Sequence, residues 1–522
     1  MPGTRNSKPA RTSKRPREAR VAPRVGGWLG VALALILLSA WSAAAIWFVR
    51  GHGWQFWYGD AEAHLNIARR VVDSRTPGYD QIGTVWLPLP HLLMLPLVRH
   101  DEFWRNGLAA AIPMGACFVL AGAFLFAAVR RIFASASAGA AATVLFAVNP
   151  NLLYLQSTAM SEAVFLAPLM ALLYATVRFR DSQGWGWVAG AGVAACLCTL
   201  TRYEGWFLIP FAALYFLCAA RQRRILTACV FAAVACVGPL YWLGHNWWLT
   251  GDPLEFYRGP YSAAAIQKGA DYPGRGDWSK AFLYFRTAVE MCAGPALLWM
   301  AIPGAVVALV RRAWWPLLLL VLPGAFFVWS MHSSAGTPIF VPTLWPHSYY
   351  NTRYGLALLP LLVLAAASLV TAAPRGRAAL AALVIAAGAA QWAFYPRSDT
   401  WITWKESQVN SEARRAWTHD AAQYLGQHYV RGGGILTSFG DLSGVLREAG
   451  IPLRESFTAD NGIPFEALLR RPDLHLRGEW ALVMGGDPVQ TVIWKGPRFG
   501  IHYRLVQTIV VKGAPVIEIY RR

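Results

Sequence analysis

The sequence predicts an α-helical polytopic membrane protein of about eleven transmembrane helices with a small C-terminal soluble α/β domain. Three observations carry this. Of 522 residues, 56% are hydrophobic and only 15% charged, and 25 are tryptophan, which is not the composition of an ordinary soluble protein. The apolar residues fall into nearly uncharged runs about as long as a bilayer is thick. From about Tyr395 the pattern turns mixed and charged, with turn residues between short apolar stretches.

In chain order, the first 25 residues hold eight Lys/Arg and one Glu and little apolar content, so residues 1–26 read as a disordered basic cytoplasmic tail. The tail abuts a first span without a small-residue cleavage pattern, which reads as a signal-anchor rather than a signal peptide. The expected spans are 27–49, 107–129, 132–148, 163–177, 185–200, 205–220, 225–248, 292–310, 313–331, 354–373 and 378–394. They bound a membrane domain over residues 27–395.

The net charge of +20 would suit nucleic acid, but the positions of the charges exclude that partner. With the tail in the cytoplasm, eleven alternating spans put Arg130–Arg131, Arg178–Arg180, Arg221–Arg224, Arg311–Arg312 and Arg375–Arg377 all on the cytoplasmic side, as the positive-inside rule requires. The remaining polar segments then face outward: the first outer loop, 50–106, then 149–162, 201–204, 249–291, 332–353 and the region 396–522. The apolar stretch 86–98 is too short for a span and carries three prolines, so it reads as an interfacial or re-entrant helix within the first outer loop. The charges imply an integral membrane protein with membrane lipids as constant neighbours, and the membrane expected is a bacterial inner or plasma membrane.

All seven cysteines (117, 196, 198, 218, 229, 236, 292) lie in or at the edge of spans and read as packing residues without disulfide or zinc spacing. In the C-terminal region, 433–440 and 479–486 read as strands. Residues 441–450 read as a helix capped by Asp441 and ended by Gly450, and 487–494 as a helix opened by Asp487 and Pro488. Residues 503–511 and 515–522 read as a closing hairpin around Lys512 and Gly513.

The stretch "YGDAEAHLNIARR", Tyr58 to Arg70, sets two acids and a histidine just beyond the first span. Asp60 would make a good helix N-cap, which is the plainest account of it. As a helix it has an apolar stripe of Ala61, Leu65, Ala68 and Val72 beside Asp60 and His64, the pattern of a helix lying on a membrane surface. Glu162, Arg202, Glu204 and Arg353 stand at the outer ends of other spans, where such residues often serve only as interfacial anchors. Their convergence on one face points to a site.

These segments resemble the GT-C class of membrane glycosyltransferases. The stretch "YGDAEAHLNIARRVVDSRTPGYDQIGTVWLPLPHLLMLPL" is similar to the first outer loop of that class. It is followed, in the order and on the side the class requires, by "NPNLLYLQSTAMSEAVFLAPLMALL", "TLTRYEGWFLIPF" and "YYNTRYGLALLPLL". Together they resemble the protein O-mannosyltransferase and aminoarabinose transferase branch over residues 27–395, while 396–522 matches only as a soluble extracytoplasmic appendage. The resemblance implies a polyprenyl-phosphate-linked sugar donor and a glycan, lipid or protein acceptor.

Such chemistry asks for a carboxylate to take the acceptor's proton and for guanidinium groups to grip the departing phosphate. By position in the family pattern Asp60 is the candidate base, and Arg353 and then Arg202 are the candidate phosphate ligands. Glu62, His64 and Glu162 could orient Asp60 or, with Glu204 as a further auxiliary, ligate a divalent cation. Metal dependence stays open, since no DxD motif is present and "DAE" is only an approximate counterpart. Two rival classes are a transporter or lipid flippase, which would bury charge inside its spans, and a non-catalytic envelope assembly protein, for which so many spans are excessive.

Overall fold

The computed structural model describes residues 26–267, 271–333, 338–373, 375–394, 400–438, 440, 442–476 and 478–522. The basic tail up to Val25, and Asp441 with its expected capping role, lie outside the described residues.

The chain is mainly helical. Among the described residues, six helices are long and apolar enough to cross a bilayer: Trp28–Gly51, Leu108–Phe133, Glu162–Ser182, Arg224–Thr250, Trp314–His332 and Thr352–Thr371. A seventh span arises if Trp278–Ala293 and Pro295–Val310 are counted together, but they meet at 107°, so only one of them can run along the membrane normal. The corner is built from Gly294 at φ 80° followed by Pro295 at the first helical position. The other expected spans form shorter apolar helices, Ala136–Ala147, Trp185–Thr199, Glu204–Ala219 and Arg377–Ala393. At 1.5 Å per residue these fall short of a hydrocarbon core of about 30 Å. By length and composition alone six or seven crossings qualify among the described residues, and the four shorter helices do not reach that length by themselves.

The five basic clusters come together at one end of the bundle. Arg131 pairs with Asp181, Arg311 Nη2 donates to the Thr371 carbonyl at 2.8 Å, and the Arg221 backbone N–H donates to Gln183 at 2.9 Å. Arg180 and Arg377 reach the carbonyls of Arg312 and Ala134, each at 3.5 Å. Leu29, Leu33, Ile36 and Leu37 of the first helix are exposed, as an apolar helix facing lipid is.

Two glycines permit the closest helix approaches. A Cβ at Gly304 would strike the Ala365 carbonyl, and one at Gly355 the Ala288 carbonyl. The second contact seats the Thr352–Leu358 turn, and with it Arg353, against the Trp278–Ala293 helix. The Leu89–Val98 helix packs beside Gly59–Val72 and is far too short to span.

The Gly59–Val72 helix departs from the surface-lying arrangement its pattern suggests. Ala61, Leu65 and Ala68 are fully buried, but Glu62, Asn66, Arg69 and Arg70 on the other faces are buried too. The helix is clasped between the bundle and the C-terminal region, so its polar side meets protein.

A 27-residue helix, Ile402–His428, leads from the bundle to a five-stranded sheet. The strands are β1 (Ile435–Thr437), β2 (Ser456–Phe457), β3 (Trp480–Met484), β4 (Arg504–Ile509) and β5 (Ile517–Arg521), in the order β2-β1-β3-β5-β4. β2, β1 and β3 are parallel, and β5 joins β3 antiparallel before the hairpin to β4, whose turn holds Gly513 at φ 80°. Asp487 caps Pro488–Lys495 as its sequence position suggests, and Gly450 ends Ser443–Ala449 in the left-handed region. One continuous buried core runs from the bundle through Trp417 and Leu425 to Ile435, Trp480 and Ile519.

Candidate active site

Five segments deliver ionisable side chains to the end of the bundle opposite the basic clusters. Asp60 comes from the first turn of Gly59–Val72, and Glu162 and Glu204 open their helices, where acids suit the positive end of the dipole. Arg202 stands in the turn before Glu204, and Arg353 in the Thr352–Leu358 turn. Glu406 arrives from Ile402–His428.

Asp60 does not cap its helix. The N-cap residue is Tyr58, without a side-chain cap, and Asp60 Oδ2 instead accepts from Arg353 Nη2 at 2.7 Å. Arg353 Nη1 donates to Glu406 Oε1 at 3.1 Å, and its Nε lies 3.4 Å from Glu162 Oε1 without an aligned hydrogen bond. Its guanidinium lies between the rings of Tyr58 and Tyr354, at 5.2 and 5.1 Å from their centroids. Glu406 is fixed in turn by the Thr352 backbone N–H at 2.7 Å and by the Thr352 hydroxyl. Burial raises the Glu406 carboxyl above its ordinary range, against the opposing pull of Arg353 and Thr352.

Arg202 forms the second centre. Its Nε donates to Glu204 at 2.7 Å, and its Nη1 to Glu162 at 3.1 Å and Ser161 at 3.0 Å. Glu162 thus bridges both arginines. Acids outnumber arginines in the cluster, so an incoming anion must displace a carboxylate to use these donors fully. Asp60 is the one placed to yield, since its side chain is 44% exposed while those of Glu162 and Glu406 are 7% and 2% exposed.

Asp60, Arg202, Glu204 and Arg353 line a cavity of about 340 Å³. Its other walls are aromatic and apolar, including Trp86, Tyr203, Phe256, Phe327 and Trp329. His64, one turn after Asp60, also lines it, and its Nδ1 meets His91 Nε2 at 2.8 Å. Burial, then the nearby Arg353 and Arg202, lower His64 to about 3, so it is neutral. Burial and the neighbouring His64 also push His91 well down.

Of the residues expected from sequence, Asp60, His64, Arg202, Glu204 and Arg353 meet at this cavity, with Glu162 linking the arginines behind it. Glu62 lies apart, facing the C-terminal region, where Arg447 grips it with Nε at 2.7 Å and Nη2 at 3.0 Å. Among the described residues, no group of three or more His, Cys, Asp or Glu side chains is placed to hold a metal ion. Sequence reasoning missed Glu406 and the tyrosines around Arg353. The available signal was "WITWKE", in which tryptophans 401 and 404 mark an interfacial segment around that acid.

The bundle has the GT-C fold of membrane glycosyltransferases. A family model described as dolichyl-phosphate-mannose-protein mannosyltransferase matches residues 102–248. Among solved structures, apo ArnT from Cupriavidus metallidurans is similar over 94% of this chain and 98% of its own, at 13% identity and a TM-score of 0.56. The apo Archaeoglobus fulgidus oligosaccharyltransferase matches 89% of this chain and 70% of its own, at 12% identity and a TM-score of 0.44. No curated protein matches the sequence.

Proposed function

We propose that this protein transfers a sugar from a polyprenyl-phosphate donor to an acceptor hydroxyl on the extracytoplasmic face, with Asp60 as general base. The carrying observation is the Asp60–Arg353 ion pair in the lining of a cavity that is otherwise mainly aromatic and apolar. An amphiphile with one phosphate and a long apolar tail fits such a cavity: charged side chains for the one, rings and aliphatic groups for the other. The donor phosphate takes Arg353 Nη2 from Asp60 and uses Arg202 as a second donor. Seating the donor thereby frees the carboxylate.

The acceptor oxygen then attacks the anomeric carbon as the bond from that carbon to the phosphate oxygen breaks, and Asp60 takes the acceptor's proton. Polyprenyl phosphate leaves with the bonding electron pair, its growing charge held by the guanidinium forks. In this reading Glu162, Glu204 and Glu406 hold the two arginines in place, and His64 stays neutral beside the reacting groups.

The same reading places eleven crossings in a bacterial inner or plasma membrane, the shorter helices completed by their neighbours. The N-terminus is cytoplasmic and residues 396–522 lie outside, as a soluble unit over the catalytic one. The gathering of the basic clusters at one end, with the acids at the other, supports it. The direct test is to incubate purified protein in liposomes with polyprenyl-phosphate donors carrying radiolabelled sugars and with glycan, lipid and peptide acceptors. Label should pass from at least one donor to an acceptor. Failure of every donor, with polyprenyl phosphate showing no binding, would remove the proposal.

A further inference from the structure

We infer that the C-terminal region is part of the catalytic apparatus, because Arg447 positions the helix turn that carries Asp60 by clamping Glu62; this rests on the reading of Asp60 as the base. The start of Gly59–Val72 has little of its own to hold it. Its N-cap, Tyr58, provides no side-chain cap, and its first residue is glycine, the least constrained residue. An uncapped first turn is where a helix frays most easily. Yet the carboxylate that must meet both donor and acceptor sits in that turn.

The fixing contact comes from far along the chain. Arg447, in Ser443–Ala449, places its fork on both oxygens of Glu62, two residues after Asp60. Asn66, one turn on, donates to Glu62 Oε1 at 3.1 Å and to Ser443 Oγ at 2.9 Å, and accepts from Trp104 Nε1 at 2.9 Å. Arg447 also lies over the Phe56 ring, 3.5 Å from its centroid, and donates through Nη1 to the Arg105 carbonyl at 2.9 Å. Glu62, Asn66 and Arg447 are 2%, 0% and 6% exposed, so water cannot substitute for a lost partner.

The same clasp extends along the helix. Asp73 accepts from the backbone N–H groups of Leu453 and Arg454 at 3.2 and 3.3 Å, and Arg70 pairs with Asp460. Successive residues turn about 100°, so Glu62 points roughly opposite to Asp60. One face of the turn is gripped so that the other can present its acid. Arg447 does not line the cavity, and its direct contact with the turn is through Glu62.

The test uses the full-length protein in lipid nanodiscs, with Arg447→Met, Arg447→Lys and, in parallel, Asp60→Asn. Amide exchange over residues 59–66 is measured, together with kcat and KM for polyprenyl-phosphate mannose. Arg447→Met should speed exchange in that turn by about tenfold or more while the long apolar helices keep their protection. It should lower kcat by about 10- to 100-fold, as a misplaced catalytic group does, with donor KM nearly unchanged. Arg447→Lys keeps the charge but loses the fork, so it should fall between, and it carries the test if the Met variant does not fold. Wild-type exchange in residues 59–66 in either folded variant overturns the proposal, and this arm needs no substrate. Wild-type kcat in folded Arg447→Met overturns it as well. If Asp60→Asn keeps full turnover while Arg447→Met still loosens the turn and lowers kcat, the base assignment fails and the clamp stands.

Discussion

Two faces of one short helix use the same residue types for opposite ends. On the cavity side of Gly59–Val72, Asp60 keeps a 44% exposed side chain on a single arginine contact. On the other side, Glu62 and Asp73 are buried and fully engaged by Arg447, Arg69, Arg454 and backbone N–H groups. A carboxylate held on both oxygens in a dry interface is committed to structure. One with a single exchangeable partner at a cavity mouth can change partners and carry a proton. What distinguishes a reactive acid here is unfinished coordination, not residue type.

That contrast is open to attack at several points. Arg353 should show the largest effect, because it serves the reactive acid and also offsets buried charge. Arg353→Ala leaves Glu406 and Glu162 short of a partner, which should cost about 3–5 kcal/mol of stability and abolish binding of polyprenyl phosphate, read by tryptophan fluorescence. Arg353→Lys should recover part of the stability but not the fork. Unchanged donor affinity in the Ala variant would reduce this residue to an anchor.

Glu406→Gln keeps shape and most hydrogen bonding but removes the charge that steadies Arg353. Donor affinity should fall by about 10- to 150-fold, the value of one charge-assisted hydrogen bond of about 1.5–3 kcal/mol. No change in affinity would mean that Thr352 and the packing hold the arginine without it. Arg202→Lys should cost about fivefold in donor affinity, equivalent to about 1 kcal/mol, since Glu204 and Glu162 can still be met by an ammonium group. A loss as large as that of Arg353→Ala would make Arg202 the main phosphate ligand.

A separate effect concerns pH. His64 binds a proton near 6.5 when unfolded but only near 3 when folded. The unfolded chain therefore holds more protons between these values, and stability should rise with pH across that window and fall as pH drops through it. His64→Gln should flatten the slope of thermal stability against pH by at most about 1.4 kcal/mol per pH unit. An unchanged slope would place the titration elsewhere.

The sequence made much of this legible, for physical reasons. Charges are costly inside a bilayer, so they collect at helix ends, where Asp60, Glu162, Arg202 and Arg353 could be recognised. Hydropathy measures apolar length and is blind to helix breaks. The stretch 132–148 thus reads as one apolar run, although the turn at Ala134 and Ser135 leaves a helix of only 12 residues. β3 and the β4–β5 hairpin were visible from apolar runs and a glycine turn, whereas β2, two residues long, has no pattern to detect. Glu406 lay beyond the change in composition at Tyr395 and was assigned with the soluble region. The destination of Glu62 depended on the docking of Arg447, 385 residues away, which no local pattern encodes.

The most direct measurement sets the two acids side by side: turnover of a radiolabelled polyprenyl-phosphate sugar by Asp60→Asn and Glu62→Gln, with thermal stability and polyprenyl phosphate affinity recorded for each. Asp60→Asn should lose about 10²- to 10⁴-fold in rate, the usual contribution of a general base. Its stability should shift by less than about 1 kcal/mol, because the lost ion pair is partly exposed, and its lipid-phosphate affinity should hold or tighten as the competing carboxylate is removed. Glu62→Gln should lower stability, with a smaller loss of rate. Near-normal turnover in Asp60→Asn, or a rate loss in Glu62→Gln equal to or greater than that of Asp60→Asn, would contradict the account.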